Sequence, residues 1–232
     1  MKKWYYFLLS FCLILFISSS SMLIIHKNNE EELNIIALEG QLEETKEENL
    51  KEKYYNFRKE YQNDDIIGSI YIPGTEINTL FVKPSNNSYY LSHTLKKEKS
   101  KIGAVFMDYR NTFDDKQINI YGHNSNKYDV AFKTLRLYLD NEFTKKNNLI
   151  YIETENGTTT YQVFSVKRTK ETEHMILKTN NFLGHIKKLR KDALYNDETE
   201  ISETDDILIL QTCLLDGTRD YLIVSARKIT NL

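Results

Sequence analysis

The stretch Asp206–Arg227, DILILQTCLLDGTRDYLIVSAR, sets the reading of the whole chain. Ile207–Leu210 is an apolar run behind acidic residues, and Tyr221–Ala226 is a second one. Both have strand length and composition, so they read as buried strands joined by a short connection containing Gly217. Cys213 then stands at the end of one strand and Arg219 opens the next. A thiol on a rigid strand end, faced by a fixed guanidinium, suits a nucleophile, because the cation favours the thiolate and can hold an oxyanion. The same stretch also fits a plainer alternative, with Cys213 a small core hydrophobe and Arg219 a solvated charge.

Working outward, the chain from Asn63 on is rich in short runs of strand type: Ile66–Ile72, Ile77–Val82, Gly103–Met107, Gln117–Tyr121, Leu149–Thr154, Thr159–Lys167, Ile207–Thr212 and Tyr221–Arg227. Pro73-Gly74 turns the first pair, and Asn156-Gly157 is the strongest hairpin signal in the chain. Eight short strands in one domain predict a closed barrel or a sandwich. Helical insertions are expected around Ser88–Leu91, Asp129–Leu139, Asn141–Lys146 and Asn180–Leu194. The fold class is therefore mainly β with helical insertions.

Two lysines precede Trp4–Ile25, a run without charge that is long enough to cross a membrane as a helix. It reads as an uncleaved anchor contacting membrane lipid, with the N-terminus cytoplasmic and the bulk of the chain outside the cell membrane. A cleaved signal peptide is the competing reading, since Ser18–Ser21 offers small residues to a peptidase. Asn28–Gln62, rich in Glu, Lys, Leu and Asn, reads as a charged helical stalk whose apolar seam is too irregular for a coiled coil. The expected organisation is thus 1–27 cytoplasmic tip and anchor, 28–62 stalk, and 63–232 catalytic domain. Cys12 falls in the anchor, which leaves Cys213 an unpaired thiol in an exported domain, a situation usually avoided unless the thiol has a job.

A thiolate nucleophile needs a base or ion-pair partner, and histidine suits that role near neutral pH. His26 abuts the membrane, His174 lies in a polar connection, His185 rides a charged helix, and His93 follows a Tyr-Tyr-Leu turn. His123 follows the strand Gln117–Tyr121 and a glycine, so it projects from a strand end as Cys213 does. No metal-ligand spacing and no phosphate-binding glycine loop is present, and no cofactor is indicated. A net charge of −2 without a basic block gives no footprint for nucleic acid.

Several segments resemble one family, the sortases, membrane-anchored cysteine transpeptidases of Gram-positive surfaces, and most of all their class B. Asn87–His93 (NSYYLSH) is similar to that class's N-x-Y-Y-L-x-H segment, and Gly103–Asn111 (GAVFMDYRN) to its G-x-[IV]-F-[MI]-D-Y-R-N strand. Ile120–Asn124 (IYGHN) resembles the strand carrying the catalytic His, and Leu210–Cys213 fits the last positions of T-L-x-T-C with Gln211 where Ser is common. The helix over Asn180–Leu194 falls where class B members carry one between two late strands.

The resemblance implies an eight-stranded sortase-type barrel in which Cys213 attacks the Thr carbonyl of a C-terminal sorting pentapeptide on a secreted surface protein. It implies His123 as acid and base, Arg219 as the cation for substrate and oxyanion, and a peptidoglycan amine as acceptor. Aligning the final strand places Tyr221 at the family's usual Arg position; Arg219, two residues earlier, is expected to share its face. Asn87, Leu91, Gln211 and Thr212 are the expected substrate-binding residues. Wall anchoring is implied rather than pilin polymerisation. A cysteine hydrolase on the same scaffold and a surface binding module with a degenerate site stay open.

Overall fold

A computed structural model describes residues 46–170 and 181–229. The chain divides into two compact units, Met1–Asn49 and Leu50–Leu232. The anchor expected over 1–27 and the stalk before residue 46 lie outside the described residues. Among the described residues no helix is long and apolar enough to cross a membrane.

Helix α1 covers residues 46–61, and its residues from 50 on belong to the second unit. Nine strands follow: β1 (Ile66–Tyr71), β2 (Asn78–Val82), β3 (Val105–Met107), β4 (Gln117–Tyr121), β5 (Leu149–Thr154), β6 (Gly157–Thr169), β7 (Tyr195–Asn196), β8 (Ile207–Cys213) and β9 (Tyr221–Ile229). Neighbours run β5-β1-β2-β3-β4-β8-β9-β6, and β6 pairs back onto β5, so eight strands close into a barrel. All eight correspond to the short runs of strand type read from the sequence, and closure leaves no long edge exposed. The β2–β3 and β4–β8 pairs are parallel; the remaining pairings are antiparallel.

Alternation along the strands sorts residues to two faces. Leu208, Leu210, Leu222, Val224 and Ala226 point inward with Ile118 and Ile120 and form the barrel core. Ile207, Ile209 and Ile223 point outward, where they are covered by Phe182, Ile186 and Leu189 of helix α3 (Phe182–Arg190). A second outer cover is built from Tyr54 of α1 with Ile66, Val82, Tyr90, Phe106 and Tyr121. Tyr54 is fully buried, its hydroxyl bonded to the Glu153 carbonyl at 2.9 Å, so residues assigned above to the stalk are part of this unit. Between the two covers a strip of the outer face on β3, β4, β8 and β9 stays open.

The insertions differ in detail from the expected helices. Asp129–Leu139 is a 3-10 helix over Ala131–Leu139 that buries Phe132, Leu135 and Tyr138 at intervals of three, the period of that helix type. Helix α2 (Asn141–Lys146) is capped by the Asp140 carboxylate, which accepts from the amides of Glu142 and Phe143. The helix expected to reach Leu194 stops at Arg190, because Asp192 takes a left-handed φ of 58° and the Leu194 amide bonds the Val166 carbonyl. The chain then joins β6 as β7, a two-residue pairing too short to leave a pattern in the sequence.

Candidate active site

The parallel pairing of β4 with β8 sets the site. Its register runs to Tyr121↔Gln211, and beyond the last pair the two chains stay tied. The Gly122 amide bonds the Gln211 carbonyl, and the Thr212 hydroxyl donates to the Gly122 carbonyl at 2.7 Å. The Asn124 side chain donates to the Cys213 carbonyl at 2.9 Å, and that of Asn126 to the Leu215 carbonyl. His123 and Cys213 are thereby held at one height on neighbouring strand ends. Both line a groove of about 410 Å³ on the open strip, with Phe106, Tyr121, Gln211 and Tyr221 on its floor and Asn87 and Leu91 at its side.

His123 is oriented by backbone. Its Nε2 lies 2.7 Å from the Leu91 carbonyl, which can only accept, so Nε2 carries a proton and Nδ1 is left for chemistry. Gly103 closes the other side of the ring. It has φ +65°, and a Cβ there would fall 2.5 Å from the Tyr90 carbonyl and 2.8 Å from His123 Cδ2. Gly122 is equally constrained, since a Cβ would meet the Phe132 ring at 2.6 Å. Leu91 bears its carbonyl at the end of the short 3-10 turn Tyr89–Leu91, whose Tyr90 is fully buried.

Cys213 is exposed as a residue, yet desolvation of its sulfur in the groove pushes the thiol pKa above the ordinary cysteine value. No cation opposes that shift: among the described residues no Lys or Arg lines the groove. Arg219, the cation expected from the sequence, lies outside it. It precedes β9 in the exposed loop after Cys213, with a left-handed φ of 62° and no hydrogen bond or ion pair among the described residues. Two residues share a face only when both are in the strand, and this strand begins at Tyr221. The loop is fixed by another guanidinium, that of Arg168 on β6, which reaches Asp220 at 2.6 Å, Thr218 at 2.8 Å and Asp216 at 2.9 Å. The residue directly opposite Cys213 in the β8–β9 pair is Tyr221.

The expected substrate-binding residues divide. Gln211 lies in the groove floor, 6% exposed, with a buried Oε1 that has no hydrogen-bond partner. Leu91 presents an exposed side chain at the rim. Asn87 is braced: it donates to Asp108 Oδ2 at 2.9 Å and accepts from the Tyr109 amide. Thr212 has its hydroxyl committed to Gly122. Asp108 itself is fully buried and binds Arg110 through both carboxylate oxygens, at 2.8 and 2.7 Å, as well as the Tyr121 hydroxyl. Burial alone would raise its pKa, but these hydrogen bonds outweigh it and hold the carboxyl well below the usual range. Sequence reading missed the Leu91 carbonyl, Asn124 and Asp108 as supports of the site. The NSYYLSH, GAVFMDYRN and IYGHN segments that contain them were the hint.

The family model for the sortase domain matches residues 70–229. The chain belongs to the sortase family. It is 35% identical over 182 residues to sortase B of Listeria monocytogenes, covering 72% of this chain and 71% of that one. Its fold matches Clostridium perfringens sortase B with a TM-score of 0.69 at 27% identity, over 76% of this chain and 99% of that one. It also matches a Staphylococcus aureus sortase B–substrate complex with a TM-score of 0.67 at 24% identity, over 84% of this chain and all of that one. This sortase is thus class B-like and a cysteine transpeptidase. The comparisons give no support to the hydrolase alternative and speak against a non-enzymatic binding module.

Proposed function

We propose that this sortase cleaves a C-terminal sorting peptide after Thr and joins the new carboxyl end to a peptidoglycan amine. The observation that carries the reading is one groove lined by both Cys213 and His123, whose Nε2 is tied to the Leu91 carbonyl and whose Nδ1 is free. The Cys213 thiol passes its proton to His123 as sulfur bonds the Thr carbonyl carbon, and the carbonyl electron pair moves onto oxygen. The C–N bond then breaks, His123 returns the proton to the leaving amine, and a thioester remains on Cys213. The acceptor amine attacks that thioester, losing a proton to His123, and sulfur departs.

Burial pushes the Cys213 thiol pKa up, which favours the neutral thiol. Proton transfer to His123 therefore accompanies attack. Gln211 offers an acceptor, its unpartnered Oε1, to a backbone N–H of the extended peptide. The exposed Leu91 side chain gives an apolar residue of the peptide a surface to rest on. His123 also borders an open cleft with Ser92, Lys99 and Lys101, a route by which the acceptor reaches the thioester without crossing the peptide groove. Residues 1–27 would tether the catalytic unit to the membrane and raise the effective concentration of exported substrates.

The test is mass spectrometry of the full chain in detergent with a panel of sorting-type pentapeptides, with and without triglycine. Amine-dependent ligated product that disappears in Cys213→Ala is expected. Free acid as the sole product in the presence of amine would overturn the transfer reading.

A further inference from the structure

Acyl transfer builds negative charge on the substrate's carbonyl oxygen, and a site must place a donor there. In this groove the expected donor is missing, because Arg219 stands outside it and no other described cation lines it. Three polar side chains nearby are already engaged, and Gln211, whose amide is not, sits two positions back on β8 rather than opposite Cys213. The Asn124 amide group is bonded to the Cys213 carbonyl, the Thr212 hydroxyl to Gly122, and Asn87 to Asp108 and Tyr109.

Tyr221 remains. It pairs directly with Cys213 across the antiparallel β8–β9 ladder, so both side chains leave the sheet on the same face, where directly opposed residues have Cβ atoms about 5 Å apart. It lines the groove, and its ring packs against the outer cluster that includes Phe164 and Ile223. Its hydroxyl has no hydrogen-bond partner among the described residues. A phenol is a neutral donor that can turn toward an oxygen developing beside the sulfur.

Resting on the transpeptidase reading above, we infer that the Tyr221 hydroxyl is the catalytic donor to the substrate's acyl oxygen in this enzyme, in place of a guanidinium. The hydroxyl keeps its proton throughout. It donates a hydrogen bond as the S–C bond forms and the carbonyl pair moves to oxygen, and releases it when the C–N bond breaks. Tyr221 is the groove residue that stands directly opposite Cys213 in the ladder and carries a donor not engaged among the described residues.

Tyr221→Phe removes the donor and keeps the ring against its packing partners. In the full chain it is expected to lower kcat/KM for thioester formation ten- to a hundredfold with an unchanged melting temperature. Arg219→Ala is expected to stay within twofold of the parent. A second measurement needs no turnover: N-acetyl-threoninal adds to the Cys213 thiol to form a hemithioacetal whose oxygen occupies the acyl-oxygen position. The aldehyde concentration that halves the rate of Cys213 alkylation by iodoacetamide should rise at least fivefold in Tyr221→Phe and stay constant in Arg219→Ala.

If the parent forms no ligated product, the transpeptidase reading fails and the aldehyde measurement still decides on Tyr221. Parent-like behaviour of Tyr221→Phe in the aldehyde measurement overturns the inference. So does an Arg219→Ala loss as large as that of Tyr221→Phe.

Discussion

The two faces of β4 and β8 are made by the same strands and differ in nearly everything else. Inward, Ile118, Ile120, Leu208 and Leu210 are apolar and buried to 4% exposure or less. Outward, β4 carries Gln117, Asn119 and Tyr121, linked in a run of hydrogen bonds from His185 on α3 through to Asp108 and Asn87. The inner face has no polar group to satisfy and contributes stability. The outer face holds a buried carboxylate, an unpartnered amide oxygen and a desolvated thiol. Such groups are costly in water-free surroundings; Gln211 and Cys213 line one groove and Asp108 braces two of its other residues, Asn87 and Tyr121, as a site prepared for a polar substrate requires.

That contrast can be broken from either side. His123→Ala, on the outer face, is expected to remove about a thousandfold or more of the turnover while changing stability by less than about 1 kcal/mol. Steady-state kinetics beside urea unfolding separates the two effects. Leu210→Ala, on the inner face of the strand that bears Cys213, should do the reverse: about 3 kcal/mol of stability lost, with kcat retained well below the melting point. A large fall in kcat at full folding would show that the faces are not independent.

Asp108→Asn keeps the shape but removes the charge facing Arg110, and about 2 kcal/mol of destabilisation is expected, less than for a fully buried pair because Arg110 is partly exposed. The same variant tests a pH effect. The folded carboxyl titrates below the unfolded one, so its contribution is present above about pH 4 and is lost as pH falls toward the folded value. Urea midpoints between pH 3 and 6 should therefore slope less steeply in Asp108→Asn than in the parent, and parallel slopes would remove Asp108 from the acid response. The smallest change is Asn124→Ala. It loses the bond to the Cys213 carbonyl but also removes a buried Oδ1 without a partner, so stability should move by no more than about 1 kcal/mol.

Much of this was legible in the sequence, for identifiable reasons. Short apolar and β-branched runs over Gln117–Tyr121 and Ile207–Leu210 give the strands, and a Gly-His and a Thr-Cys at two strand ends give the proposed reacting pair. What stayed hidden depends on contacts between distant segments. The seat of His123 is a backbone carbonyl, and any residue in place of Leu91 carries the same group. Arg219 looked like a strand residue because the turn that excludes it is fixed from outside, by Arg168 some fifty residues earlier. Asp192 ends α3 through a backbone conformation that its residue type permits without announcing it.

The parallel β4–β8 pairing also governs when the enzyme becomes active. Cys213 and the His123 loop are about ninety residues apart in the chain, and the bonds that join them form only once β8 has inserted between β4 and β9. Contacts of such long range close late in folding. A one-residue slip in that insertion would turn the thiol into the barrel interior. A nascent or misregistered chain therefore lacks the groove that Cys213 and His123 share. Barrel closure is thus the step that assembles the groove, and Cys213 has no site around it until the last strands are in place.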